Sequence, residues 1–197
     1  MLELSPDRIA FVIADVSGKG LGGALLTSML QGNFSAMALG QDPARVFAHV
    51  NRFICEHSKV ERYATLFFGI LDSTGGLEFI NAGHPSPLLI RAGRVTSPFA
   101  AECLPLGLFP GSEFKIGSST LEVGDTLVLF TDGITEALNP EDEQFGVDRL
   151  AELVARHAGS RVRELESCIL QAVEDFSGGA DQADDSTLLV VRYQGTV

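Results

Sequence analysis

The chain has 197 residues, which is enough for one α/β domain with a sizeable core. Its 45% hydrophobic and 20% charged residues are typical of a globular protein and argue against disorder. Fourteen Lys and Arg against twenty-six Asp and Glu give a net charge of −12, which disfavours a nucleic-acid or anionic-membrane partner. The acidic balance suits a divalent metal or a basic partner, although an acidic surface more often simply keeps a protein soluble.

The termini and the cysteines predict a cytoplasmic location. No apolar run is long enough to span a bilayer, and Met1 is followed by Leu-Glu-Leu instead of a basic, then apolar, secretory signal. Cys55, Cys103 and Cys168 are odd in number and widely separated, which favours three reduced thiols over a disulfide framework.

The first third of the chain is predicted to form a strand and two helices. Residues 9–14 are continuously apolar and short, as in a buried strand. Apolar residues recur at spacings of three and four over residues 22–39, which predicts a helix. A second helix is expected to begin at Pro43, with Asp42 as its N-cap.

The middle of the chain changes to strand-like periodicity. Short apolar pieces alternate with turn residues in "YATLFFGILD", "GLEFINAG", "SPLLIRA", "RVTSPF" and "SSTLEVGDTLVLFTDG". Helical spacing returns in "VDRLAELVARHA" and "RVRELESCILQAVEDF", and a last strand, "STLLVVRYQ", follows. Because the strands are grouped apart from the helices, the pattern predicts an α+β fold with helices stacked on antiparallel sheet.

The stretch "FVIADVSGKG" first suggests a phosphate-binding loop. A Walker A loop needs a glycine where Ile13 stands and Ser or Thr where Gly20 stands, so that match fails twice. The glycines also fail to match a dinucleotide-binding fingerprint, and no βαβ unit surrounds them. We therefore disfavour nucleotide binding at this loop.

Aspartates at strand ends suggest a metal site instead. Asp15 and Asp132 each end an apolar strand, and Asp184 and Asp185 directly precede the last strand. Carboxylates that converge need a cation to neutralise them, and hard oxygen ligands favour Mg²⁺ or Mn²⁺ over zinc. Each aspartate taken alone is also a common turn residue, but the repeated pattern favours metal binding.

Six motifs in order carry a family resemblance that runs from about Ile9 to Arg192. They are "DVSGKG", "NAGHPSPLLIR", "LPLGLFPGSEF", "LVLFTDGITEALN", "FGVDRL" and "DDSTLLVVR". This set resembles the PPM metal-dependent protein phosphatases, in the bacterial SpoIIE-like or RsbU-like branch that regulates sigma factors.

The resemblance implies an α-β-β-α sandwich of two antiparallel sheets with a two-metal cluster at one edge. Asp15 would be shared by both metals, the Val16 carbonyl would be a further ligand, and Asp132 and Asp184 would hold the second metal. Asp185 would support the site without binding metal. The implied reaction is hydrolysis of phosphoserine or phosphothreonine by a hydroxide that bridges the metals between Asp15 and Asp132, with no phosphoenzyme. The implied substrate is a phosphorylated anti-sigma-factor antagonist.

Four other polar residues near these motifs have weaker claims to a role. His84 suits a general acid, but a turn that orients the loop is the better interpretation. Lys19 either neutralises an approaching phosphate or points to solvent. Glu136 either supports the metal ligands or is a first-turn helix charge. Asn81 is most simply a turn residue.

The beginning of the chain departs from the family pattern. The family has a Gly-Gly-Asp segment one strand earlier, and neither Glu3 nor Asp7 occupies that motif. We therefore expect residues 1–197 to be one phosphatase domain that lacks its first strand and one metal ligand, through truncation, a late start site or divergence. An unpaired neighbouring strand would invite a homodimer, and an upstream sensor or receiver domain is expected in a longer protein.

This departure leaves two main functional hypotheses open, beside a third possibility of a plain metal-sensing module that metal stabilises without turnover. One is an active phosphatase that tolerates the loss, with reduced metal occupancy. The alternative is a catalytically impaired module that binds phosphoproteins or regulates their assembly.

Overall fold

The computed structural model describes residues 1–18, 20–36, 42–57, 62–179 and 184–195. Strands and helices follow one another in an order that groups most strands between two helical regions. In chain order these are β1 (Leu2–Ser5), β2 (Arg8–Val16), α1 (Leu21–Ala36), α2 (Pro43–His57), β3 (Ala64–Asp72), β4 (Gly76–Ala82), β5 (Leu88–Arg91), β6 (Arg94–Thr96), β7 (Gly117–Thr120), β8 (Thr126–Phe130), α3 (Asp132–Thr135), α4 (Val147–Arg156), α5 (Val162–Ser177) and β9 (Leu188–Arg192).

The chain divides into two compact units, each with one antiparallel sheet. The first unit contains Met1–His84 and Ala101–Leu121, and the second contains Pro85–Ala100 and Glu122–Gly195. The strand order is β1-β2-β3-β4-β7 in the first sheet and β6-β5-β8-β9 in the second. The predicted pair of antiparallel sheets is thereby confirmed. That residues 1–197 act as one domain stays a prediction.

The core of the first unit packs α1 and α2 against its sheet. Phe47 of α2 is fully buried, and its ring lies 5.6 Å from those of Phe68 on β3 and Phe114. β2 and β3 pair along nine residues, from Arg8 opposite Asp72 to Val16 opposite Ala64. This long register fixes where the end of β2 lies.

The core of the second unit packs α4 and α5 against β5, β8 and β9. Every residue of β8 is buried, as its continuous apolar sequence predicts for a central strand. Leu150 and Val154 of α4 and Leu165 and Ile169 of α5 are fully buried at the spacing of one helical face. A rigid β8 therefore ends at Phe130, two residues before Asp132.

The start of α2 agrees with its predicted position, whereas the predicted extent of α1 and the predicted role of Asn81 need revision. α2 begins at Pro43, and Asp42 accepts a hydrogen bond of 3.0 Å from the Ala44 amide, as predicted for an N-cap. α1 ends at Ala36, and residues 37–39 of the predicted helix lie outside the described residues. Asn81 is not a turn residue, because it lies within β4 opposite Phe67.

Candidate metal centre

Asp15 lies at the end of β2 in the first unit. It is half-buried, and the register places it opposite Thr65 of β3. The Thr65 hydroxyl lies 3.2 Å from Nδ1 of His84, and the His84 amide donates a 2.9 Å hydrogen bond to Oδ1 of Asn81. His84 is 2% exposed, so it belongs to a buried polar group beside the strand that carries Asp15.

The backbone that follows Asp15 is tied to β3. The Ser17 amide donates to the Tyr63 carbonyl at 2.9 Å, and the Tyr63 amide donates to the Ser17 hydroxyl at 2.8 Å. Gly18 then adopts a φ of +86°, which favours glycine. These contacts fix the turn that directly follows Val16, the last residue of β2. Lys19 lies outside the described residues.

Arg62, which belongs to none of the sequence motifs, lies beside this turn. A β-carbon at Gly18 would lie 3.7 Å from Nη1 of Arg62, so the guanidinium covers the glycine. Nη1 is buried, and it has no hydrogen-bond partner among the described residues. The "ERYATLF" segment carries no motif that would have identified this contact.

Asp132 and Asp184 come together within the second unit. A carboxylate oxygen of Asp132 lies within 4.8 Å of one of Asp184, with Asp132 half-buried and Asp184 exposed. The Asp132 carboxylate also accepts a hydrogen bond of 3.0 Å from the Gly133 amide. Two like charges this close favour a bound cation.

Hydrogen bonds connect the segments that carry these two carboxylates. The Thr131 hydroxyl donates to the Asp185 carbonyl at 3.0 Å and accepts from the Thr187 amide at 2.9 Å. The Ser186 hydroxyl donates to the Gly133 carbonyl at 3.0 Å. The sequence motifs "TDG" and "DDST" contain these residues, but nothing in them indicated that Thr131 and Ser186 bridge the two segments.

Asp185 and Glu136 occupy different surroundings from the two carboxylates that come together. Asp185 is exposed, and its backbone amide donates a 2.8 Å hydrogen bond to the Asp184 carboxylate. Glu136 is exposed and follows the last residue of the four-residue helix α3, so it is not a first-turn helix charge as one interpretation required. That interpretation is wrong because the helix ends one residue too early.

Among the described residues of the second unit, the most buried carboxylate is structural. Asp125 is 2% exposed and accepts hydrogen bonds from the Arg91 guanidinium, including one of 2.9 Å from Nε, and from the Glu122 amide at 2.8 Å. Hydrogen bonding by Asp125 and its negative charge raise the pKa of Arg91. This carboxylate is satisfied by the Arg91 guanidinium of β5 and by an amide of its own turn.

The beginning of the chain places its acidic residues in a strand and a turn. Glu3 lies in β1 opposite Ile9 and is exposed, and Asp7 is exposed in the turn that joins β1 to β2. Among the described residues, no helix is long and apolar enough to cross a membrane.

Comparison with solved structures defines the class of the fold. The chain matches the SiaA-PP2C domain of Pseudomonas aeruginosa with a TM-score of 0.83 and 22% identity, over 96% of this chain and 78% of that one. It matches the RsbU and RsbW domains of Rv1364c from Mycobacterium tuberculosis with a TM-score of 0.81 and 29% identity. That match covers 98% of this chain and 54% of the other. The fold is that of the PP2C phosphatases, as the resemblance implied.

The family follows from the sequence profile described as Stage II sporulation protein E (SpoIIE), which matches residues 5–194. The chain belongs to this family. It is 29% identical to the phosphoserine phosphatase RsbU of Bacillus subtilis, over 94% of this chain and 56% of RsbU. It is also 29% identical to the protein IcfG of Synechocystis, over 95% of this chain and 34% of IcfG. The chain thus spans between a third and just over half of these curated relatives.

Proposed function

We propose that the chain is a metal-dependent protein phosphatase domain that hydrolyses phosphoserine or phosphothreonine on a regulatory protein. Membership of the SpoIIE family and the likeness to the phosphoserine phosphatase RsbU support this proposal. The observation that carries it is the approach of Asp132 and Asp184 to within 4.8 Å at the end of a buried strand.

The donor atoms fit a hard divalent cation. We propose Asp15, Asp132 and Asp184 as the carboxylates that would hold the metal ion. All three offer oxygen, and none is a thiol or an imidazole, which suits Mg²⁺ or Mn²⁺. In this proposal Asp15 and the Val16 carbonyl contribute from the end of β2, and Asp132 and Asp184 contribute from the second unit.

The chemistry of each residue suggests its role in this proposal. Bound divalent metal supplies Lewis-acid chemistry, lowering the pKa of water and neutralising charge on a phosphoryl group. Asp15, Asp132 and Asp184 would bind the metal and fix its position. Asp185 stays outside the ligand set, and its backbone joins the segment to Thr131. No serine or cysteine of the chain is required as a covalent nucleophile.

The proposed substrate is a phosphorylated anti-sigma-factor antagonist. Support comes from the relatives that carry the Rsb names and from the solved chain in which an RsbU domain is joined to an RsbW domain. The net charge of −12 adds a physical requirement. A phosphorylated protein is itself locally acidic, so cations at the site have to offset the repulsion.

Hydrolysis of p-nitrophenyl phosphate with and without Mn²⁺ tests this function. We expect hydrolysis by the wild-type chain that requires Mn²⁺ and is abolished in Asp132→Asn, which removes one ligand charge at nearly constant volume. Asp148→Asn in the first turn of α4 is the matched control and should retain full activity. Wild-type hydrolysis no greater than that of Asp132→Asn would instead favour a catalytically impaired binding module.

A further inference from the structure

A buried threonine hydroxyl lies between the two segments that carry Asp132 and Asp184. Thr131 is 1% exposed and immediately precedes Asp132. Its hydroxyl uses both of its hydrogen-bonding functions, donating to the Asp185 carbonyl at 3.0 Å and accepting from the Thr187 amide at 2.9 Å. One side chain therefore holds the residues that follow Asp184 against the end of β8.

Neighbouring contacts make the same connection through the backbone. The Thr131 amide donates to the Thr187 carbonyl at 3.1 Å, and the Ser186 hydroxyl donates to the Gly133 carbonyl at 3.0 Å. Gly133 permits the close approach, because a β-carbon there would lie 2.5 Å from the Asp185 carbonyl oxygen. Asp132 and Asp184 are thus attached to one hydrogen-bonded frame.

Such a frame is needed before a cation arrives. Two ionised carboxylates within 4.8 Å repel each other, so without metal the segments would tend to separate. Groups that hold metal ligands in place typically contribute 10–100-fold to metal affinity. We propose that the Thr131 hydroxyl is a positioning group that sets the spacing of Asp132 and Asp184 for metal. This inference rests on the metal-dependent function proposed above.

A second buried threonine, the first residue of β8, provides a matched control. Thr126 is fully buried at the other end of β8, and its hydroxyl accepts a 2.7 Å hydrogen bond from Nε of Arg192 and donates to the Gly124 carbonyl at 3.4 Å. Replacing either threonine by valine removes a satisfied hydroxyl and keeps the shape. Only Thr131 lies beside the candidate metal ligands.

The experiment measures the Mn²⁺ concentration that gives half of the maximal rise in melting temperature, for wild type, Thr131→Val, Thr131→Ser and Thr126→Val. We expect Thr131→Val to raise this midpoint about tenfold or more. Thr131→Ser, which keeps the hydroxyl, should restore the wild-type midpoint. Thr126→Val should lower the metal-free melting temperature without moving the midpoint. In the phosphatase assay, excess Mn²⁺ should recover the turnover of Thr131→Val.

Equal midpoints for Thr131→Val and Thr126→Val would overturn the positioning role and leave Thr131 a purely structural residue. Absence of any Mn²⁺ response in the wild type would overturn the metal centre itself, so the two failures are distinguishable. If Thr131→Val does not fold, Ser186→Ala tests the same frame through the bond to the Gly133 carbonyl. A wild-type midpoint for that variant would contradict the proposal.

Discussion

Gly133 approaches Asp185 so closely that a β-carbon on the glycine would lie 2.5 Å from the Asp185 carbonyl oxygen. Ordinary van der Waals contact begins about 1 Å farther away. The backbone that follows Asp132 therefore packs directly on the backbone that follows Asp184. This contact explains why glycine stands after Asp132 without any need for a positive φ.

The first prediction follows from this contact. Gly133→Ala should destabilise the fold by about 1–3 kcal/mol, since the Asp185 carbonyl, which is hydrogen-bonded to Thr131, has to move to admit the methyl group. Chemical denaturation measures the loss. Gly159→Ala is the control, because a β-carbon there meets nothing within 4 Å, and its effect should stay within about 0.5 kcal/mol. Equal stabilities of the two variants would contradict the described packing.

The second prediction separates the neighbouring aspartates of the "DDST" segment. Asp184→Asn should weaken Mn²⁺ binding strongly, because the Asp184 carboxylate lies within 4.8 Å of that of Asp132. Asp185→Asn should have a much smaller effect, since only its carbonyl contacts Thr131. Isothermal titration with Mn²⁺ compares the two variants. A larger loss in Asp185→Asn would mean that the ligand is the second aspartate of the pair.

A third prediction concerns the fully buried Asn51 on α2. Its side chain accepts a hydrogen bond from the Gly107 amide at 2.8 Å and donates to the Phe109 carbonyl at 2.8 Å. Asn51→Leu leaves both backbone groups without these partners and should cost about 3 kcal/mol of stability, measured by urea unfolding. Arg52→Leu, at an exposed neighbouring position, should change stability little. A stability loss below about 1 kcal/mol for Asn51→Leu would show that the segment of residues 107–109 does not depend on the Asn51 amide.

A fourth prediction uses the turn between β3 and β4. One carboxylate oxygen of Asp72 accepts hydrogen bonds of 2.7–2.9 Å from the Thr74 hydroxyl, the Gly76 amide and the Thr74 amide. These bonds lower the pKa of Asp72, and the bond from the Thr74 hydroxyl has the largest effect. Because the pKa of Asp72 is lower in the folded state than its unfolded-state pKa of about 3.9, the ionised side chain stabilises the fold at pH values above about 3.9. This stabilisation is lost as the pH falls through the folded-state pKa. The stability gap between wild type and Asp72→Ala should therefore be constant near neutrality and narrow below about pH 4. A gap that widens on acidification would contradict this direction.

The strands and the candidate metal-binding carboxylates could be predicted from the sequence because their signals are local. A continuous apolar run ending in one charge marks Asp15 and Asp132, and Pro43 after Asp42 marks the start of α2. Burial dictates both patterns, since an apolar central strand accepts a carboxylate only at its end.

Contacts between segments far apart in the sequence could not be predicted from local patterns. The Thr131 hydroxyl bonds to Asp185, which is 54 residues away, and any threonine in a strand would have the same local sequence signal. Asn81 resembles a turn residue beside "GHP", but pairing with β3 extends β4 through it. Tertiary pairing overrides the local preference at such positions.

The central claim is that carboxylates at these strand ends hold the divalent metal that drives phosphate-ester hydrolysis. The most direct test is phosphate release from a phosphoserine peptide as Mn²⁺ is added to chelator-treated protein, for wild type and Asp15→Asn, with folding checked by circular dichroism. We expect turnover that rises with Mn²⁺ and saturates in the wild type, and no saturable turnover in folded Asp15→Asn. Equal turnover by the two proteins, or wild-type turnover that ignores Mn²⁺, would contradict it.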